Sequence, residues 1–129
     1  MSTDRIAIEG GCFCGSIRYR IEPGDYRAGN CHCTMCRRIH AAPHVAWLVV
    51  PAARFSYSKG EPVPLRSSPA GSRYFCQACG THIACTNDSH PEIVDVTLCS
   101  LDEPTAHVPD FEVFTDTRLP WPGLPPATG

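Results

Sequence analysis

Seven of the nine cysteines in this 129-residue chain fall into three short runs, Cys12-Phe13-Cys14, Cys31-His32-Cys33-Thr34-Met35-Cys36 and Cys76-Gln77-Ala78-Cys79. No other feature restricts the fold as tightly, because sulfurs one or two residues apart in a turn converge on a common point. Structural zinc takes four protein ligands, usually as two such pairs, whereas catalytic zinc takes three and keeps a position open. The outer pairs suit the first arrangement and the central triple suits the second.

A disulfide framework fits less well. The cysteine count is odd, which would leave one thiol over. The opening residues, Met1-Ser2-Thr3-Asp4-Arg5, show no basic stretch followed by an apolar core, so no secretory signal is expected. The sequence therefore reads as cytoplasmic, in a reducing compartment where clustered cysteines serve metals or redox chemistry. Cys76 and Cys79 as a redox pair lack the strand–helix context of such motifs.

Length points to one domain spanning 1–129, with a core over about 5–121 and a proline-rich C-terminal tail. A chain of this size buries only about two-thirds of its unfolded surface. Thirteen prolines and ten glycines interrupt long helices. Structural zinc, worth an apparent ~10–16 kcal/mol in small domains, would compensate. A net charge of −2 and a pI near 6.3 give no electrostatic footprint for nucleic acid. No apolar run approaches the ~20 residues of a membrane helix.

Period-two patterning predicts a mainly β domain with at most a short helix. Strands are expected at 5–9, 16–21, 45–50, 54–58, 81–85, 93–98 and 111–114. The first cysteine pair then sits in a turn between two strands, and the last pair heads a second, similar hairpin. A helical turn beginning at Thr34 is limited by Pro43. The proline-rich 61–69 stretch reads as a loop with at most an edge strand. Trp121 is expected to anchor the tail, and Cys85 and Cys99 to be small buried hydrophobes.

On spacing alone, Cys12, Cys14, Cys76 and Cys79 form a closed site that clamps two distant hairpins. The triple Cys31, Cys33 and Cys36 stays ambiguous: His40, His32, His44, Cys85 or Cys99 could close it as a fourth ligand. If open, a Cys₃ site is a modest Lewis acid better suited to deprotonating a thiol than to making hydroxide.

The ordered motifs Cys12-x-Cys14-Gly15, Cys31-His32-Cys33-x₂-Cys36-Arg37, Ala42-Pro43 and Arg73-x-Phe75-Cys76-x₂-Cys79-Gly80 resemble the glutathione-dependent formaldehyde-activating enzyme family. Val94-x₃-Leu98-x₂-Leu101-Asp102-x-Pro104, Pro109 and Arg118-x₂-Trp121 extend the resemblance over about 8–125. The family includes the centromere protein V branch. The resemblance implies a small β-tent of antiparallel sheets stapled by zinc. It implies two zincs per chain, a structural one at Cys12, Cys14, Cys76 and Cys79 and a catalytic one at Cys31, Cys33 and Cys36. The implied activity is a carbon–sulfur lyase acting on glutathione and formaldehyde through S-hydroxymethylglutathione. Two departures stand out: Ala41-Ala42-Pro43 replaces the common Gly-Ala-Pro, and Glu112 precedes Val113-Phe114 where many relatives carry His.

The leading expectation is therefore a thiol–aldehyde adduct enzyme, with Arg37 or Arg38 pairing a substrate carboxylate and His40 or His44 moving protons. The competing expectation is a non-catalytic binding or scaffold module in which both zincs are structural.

Overall fold

The computed structural model describes residues 6–121. Strands β1 (Ile8–Gly11), β2 (Arg18–Ile21) and β5 (Phe55–Lys59) form a small antiparallel sheet in the order β1-β2-β5. The larger sheet contains β3 (Ala28–Cys31), β4 (Val45–Pro51), β6 (Val63–Arg66), β7 (Gly71–Phe75), β8 (His82–Asn87), β9 (Ile93–Thr97) and β10 (Phe111–Val113). Its order is β10-β3-β4-β9-β8-β7-β6. The mainly β expectation holds, and the proline-bearing 61–69 stretch does supply the edge strand β6.

One pairing differs from the expected antiparallel pattern: β10 runs parallel to β3. A hairpin forces antiparallel neighbours, but β10 is reached by a crossover. After β9 the chain passes through 3₁₀ turns at Leu98–Ser100 and Pro104–Ala106 before joining the far edge. β3 itself was not anticipated; its sequence, Ala28-Gly29-Asn30-Cys31, has almost no strand-forming residues. Pairing with β4 on one side and β10 on the other holds it extended.

The two faces of the large sheet do different work. Ala28, Leu48, Val50, Ala84, Val94 and Val96 join Ile17, Tyr19 and Ile21 in the main buried core. Their alternating neighbours face the other way. There Cys31, Val45 and Trp47 pack with Cys36 in a second buried cluster, bordered by Cys33 and Cys85. The small sheet covers the first face, and the helix α1 (Thr34–His40) contributes Cys36 to the second.

The sheets meet where Gly10 bridges Leu101 and the Asp102 N–H donates to the Glu9 carbonyl at 2.9 Å. A β-carbon on Gly10 would lie 2.5 Å from the Ser100 carbonyl oxygen and 2.6 Å from the ring of fully buried Tyr19. Only glycine lets the strands approach this closely. The Tyr19 hydroxyl meets Ser100 Oγ at 2.6 Å, so its polar end is satisfied.

Two minor expectations fail. Cys99 is exposed, because it sits in the 3₁₀ turn after β9 rather than within the strand. Trp121 is 66% exposed and not an anchor; the remainder of the proline-rich tail lies outside the described residues. Among the described residues no helix is long and apolar enough to cross a membrane.

Candidate metal centres and the adjoining cavity

Both outer cysteine pairs occupy knuckle turns of the same construction. In the first, the Cys12 N–H donates to the Ile17 carbonyl and the Gly15 N–H to the Cys12 carbonyl, each at 3.1 Å. In the second, the Cys76 N–H donates to Thr81 at 2.9 Å and the Gly80 N–H to Cys76 at 2.8 Å. Gly15 and Gly80 sit at φ +81 and +82, a left-handed conformation that glycine adopts without penalty. The internal echo seen in the sequence is thus a repeated backbone device.

These turns bring the four sulfurs of Cys12, Cys14, Cys76 and Cys79 within 4.8 Å of one another. Cys12 and Cys14 Sγ are 3.6 Å apart, and Cys14 and Cys76 Sγ are 3.8 Å apart. A tetrahedron with Zn–S bonds of about 2.3 Å has edges of about 3.8 Å, so the donors fit zinc. Disulfides need about 2.05 Å, and all nine cysteines are free. Burial opposes ionisation of Cys12, but the Ile17 N–H at 3.3 Å and Ser16 hydroxyl bring its pKa down to about 7. The Thr81 hydroxyl, 3.3 Å from Cys79 Sγ, heads the groups that lower that thiol to about 5.

The second cluster is assembled at one junction. Cys31 ends β3, Cys33 caps α1 and accepts from the Cys36 N–H at 3.2 Å, and Cys36 is buried in the first turn. Their three sulfurs also lie within 4.8 Å of one another. Among the described residues no histidine, carboxylate or further cysteine joins them at that distance. His40 is instead engaged elsewhere, its Nε2 3.4 Å from Arg73 Nη1 and its ring edge-on to Trp47. His32 is buried and meets Glu112 Oε1 at 2.8 Å, while Glu112 also accepts from Arg118 at 2.9 Å. Glu112 therefore ties β10 to the cysteine loop. His44 packs against the His32 ring.

Arg73 is the residue whose role spacing did not reveal. It is only 4% exposed, and its guanidinium donates to Cys36 Sγ at 3.4 Å and to Ser67 Oγ at 3.3 Å. A buried cation needs nearby negative charge or acceptors, and Arg73 has no carboxylate partner among the described residues. The neighbouring Cys31 thiol, and then Arg73, lower Cys36 to about 5, while Cys31 is pushed up. Burial first, then repulsion from His82 and Arg73, lowers His40 to about 4. His40 is thus neutral and free to accept from Arg73, which orients the guanidinium toward sulfur.

Beside these three thiols lies a cavity of about 350 Å³. Its sheet wall is a cross-strand row: Val49 opposes Asp95, Asp95 opposes Cys85, and Cys85 opposes Arg73. Trp47, Phe111, Val113 and Phe114 make the apolar wall, and Ser67, Thr86 and Asn87 add polar groups. Arg37 and Arg38, expected to hold a substrate carboxylate, do not line it. Asp95 does, and burial, reinforced by Cys36, raises its pKa from 3.8 to about 6. Its signal in the sequence was a lone charge in Ile93-Val94-Asp95-Val96-Thr97. Cys85, half-buried, is a cavity wall rather than a core filler.

Residues 7–117 match the family profile described as glutathione-dependent formaldehyde-activating enzyme. A Halomonas elongata protein whose name assigns it to the same family is 27% identical over 124 residues, covering 88% of this chain and 78% of that protein. A crystal structure of a Rhodobacter sphaeroides protein superimposes with a TM-score of 0.63 at 21% identity, covering 80% of this chain and 98% of that one. That likeness shows a shared fold.

Proposed function

This chain belongs to the glutathione-dependent formaldehyde-activating enzyme family, and from that premise we propose that it is a carbon–sulfur lyase that makes or breaks thiol–aldehyde adducts. The observation that carries the reading is the incomplete cluster: three thiols at the wall of a cavity, with no fourth ligand among the described residues. In this reading Cys12, Cys14, Cys76 and Cys79 hold a structural zinc, and Cys31, Cys33 and Cys36 hold a catalytic one. Zinc at the second site would supply a Lewis acid that keeps an incoming thiol deprotonated.

The chain's own residues supply the surroundings. Arg73 offsets negative charge at Cys36 and is held in place by His40 and Ser67. Trp47, Phe111 and Val113 give one side of the cavity an apolar wall, which strengthens charge interactions beside it. In the forward direction the sulfur lone pair forms the S–C bond to the aldehyde carbon, the C=O π pair moves to oxygen, and the proton lost by sulfur ends there. The reverse direction breaks the same bond. Glutathione and formaldehyde are the pair named by the family.

The scaffold alternative requires four ligands at both metals, and the triple offers three. The test couples zinc content to exchange kinetics. Protein purified without chelator should carry about two zincs, and Cys31→Ser should carry about one with its fold retained. The parent should accelerate exchange of the thiol–formaldehyde adduct, followed by NMR, and Cys31→Ser should not. A two-zinc protein that leaves the spontaneous rate unchanged would overturn the lyase reading.

A further inference from the structure

Among the described residues three aromatic rings line the cavity beside the triple cluster, and two of them are held in place. The Trp47 ring meets the His40 ring edge-on and lies 5.8 Å from the Arg73 guanidinium. The Phe111 ring lies against the Gly29 backbone, where a β-carbon would strike it, and the Arg27 guanidinium sits 4.6 Å from its centre. Phe114 is the exception. Its ring has no aromatic or cationic partner among the described residues, and the residue is 60% exposed.

The backbone at Phe114 is strained. It has φ 55 and ψ 42, a left-handed conformation that is disfavoured for a residue with a bulky side chain. The effect of that conformation is to place the ring. Phe111 and Val113 of β10 line the cavity, while Glu112 between them turns to His32. An extended continuation would send residue 114 the way of Glu112, whereas the left-handed turn returns it to the cavity beside Val113. Both flanks of this turn are tied to His32, which lies between two of the cysteines. The His32 N–H donates to the Val113 carbonyl at 3.0 Å. The Thr117 hydroxyl is 2.9 Å from the His32 carbonyl and 3.0 Å from the Phe114 carbonyl. Disfavoured conformations persist where the surroundings over-determine them, and they gather at ligand clamps. Here the tethers fix an exposed ring relative to the three sulfurs.

We propose that Phe114 is a specificity-determining residue for the thiol, its ring receiving the amide group next to the sulfur in a peptide-like thiol. The amide is planar and packs flat on an aromatic face left free by other partners. Glutathione carries an amide on each side of its cysteinyl residue, so the ring would recognise the feature that separates it from simple thiols. The inference rests on the reading of the cavity as a thiol site and names a residue by which the substrate is chosen. A ring contact of this kind is worth about tenfold in affinity.

The test is binding without aldehyde, so that it does not depend on turnover. Zinc-loaded full-length protein is titrated calorimetrically with glutathione, N-acetylcysteamine and 2-mercaptoethanol. The second thiol has an amide but no charge, and the third has neither. The series is repeated with Phe114→Gly, which removes the ring but suits the left-handed turn, and with Phe114→Tyr, which keeps a ring. The ratio of variant to parent for one thiol cancels that thiol's own acidity. Phe114→Gly should weaken glutathione and N-acetylcysteamine about tenfold and leave 2-mercaptoethanol unchanged, and Phe114→Tyr should bind all three like the parent. Equal changes for the three thiols, no change for the two amides, or a loss in Phe114→Tyr as large as in Phe114→Gly would overturn this inference and leave the lyase reading standing. Failure of all three thiols to bind the two-zinc parent would overturn both.

Discussion

Asp95→Asn should make the protein more stable, by an amount that depends on pH in a defined direction. In the folded chain burial, and then the negative charge at Cys36, raises the Asp95 pKa from 3.8 to about 6. Between those values the folded state holds a proton that the unfolded chain releases, so stability falls as pH rises through that window. Above about pH 7 the deficit is complete. At about 1.4 kcal/mol for each pH unit it amounts to about 3 kcal/mol, a large share of the 5–15 kcal/mol typical of a domain. Asparagine cannot ionise and escapes the deficit. The variant should therefore exceed the parent by about 2–3 kcal/mol at pH 8, with the gap narrowing toward pH 5. Urea unfolding of zinc-loaded parent and variant at matched pH measures it, since taking the difference removes most of the metal's own pH dependence. A variant equal to or weaker than the parent at pH 8 would refute the reasoning, as it would mean that Asp95 has a favourable partner in the fold.

Two further substitutions probe the cysteine loop. Ala41 ends α1 at φ 50, ψ 47, where an L-residue is disfavoured by about 1–2 kcal/mol, so Ala41→Gly should stabilise by about 1 kcal/mol in the same urea assay; no gain would mean the turn is held in another conformation in solution. Arg73→Met keeps the bulk of the side chain but removes the N–H groups directed at Cys36, His40 and Ser67. Losing such an outer-shell partner costs about 10–100-fold in metal affinity, with Arg73→Lys intermediate because it keeps the charge but not the fork. Competition against a chelator reads this out, and unchanged zinc affinity in both variants would show that Arg73 serves packing alone.

The features legible from spacing are those fixed by short-range geometry. Two sulfurs in one turn must converge, so each knuckle could be read from Cys12-x-Cys14 and Cys76-x₂-Cys79, and the positive φ of Gly15 and Gly80 confirms the reason. Alternation placed the hairpin strands for the same reason. What could not be read is what the sheet assembles from afar. β3 is extended only because β4 and β10 pair with it. Arg73 meets Cys36 across 37 residues, and Asp95 reaches the cavity through register with Cys85 and Val49. Arg37 and Arg38, neighbours of Cys36 in sequence, do not line the cavity, because a helix turns successive residues onto different faces.

The two cysteine sites divide the work of the fold in a way that explains why one of them can remain incomplete. Cys12 and Cys14 lie between β1 and β2 of the small sheet, and Cys76 and Cys79 lie between β7 and β8 of the large one. A metal there would join the two sheets across more than sixty residues of chain, where the entropy saved by closing the loop is greatest. The same junction is already braced by Gly10, Tyr19 and Asp102. The triple cluster has no such burden. Its members come from one stretch of six residues, from the end of β3 into the first turn of α1, which pairing with β4 and the clamp from His32 to Glu112 hold in place. Because the sheets are fastened elsewhere, the second site can forgo a fourth ligand and accommodate a partnerless carboxylate in its wall, arrangements that favour binding over stability.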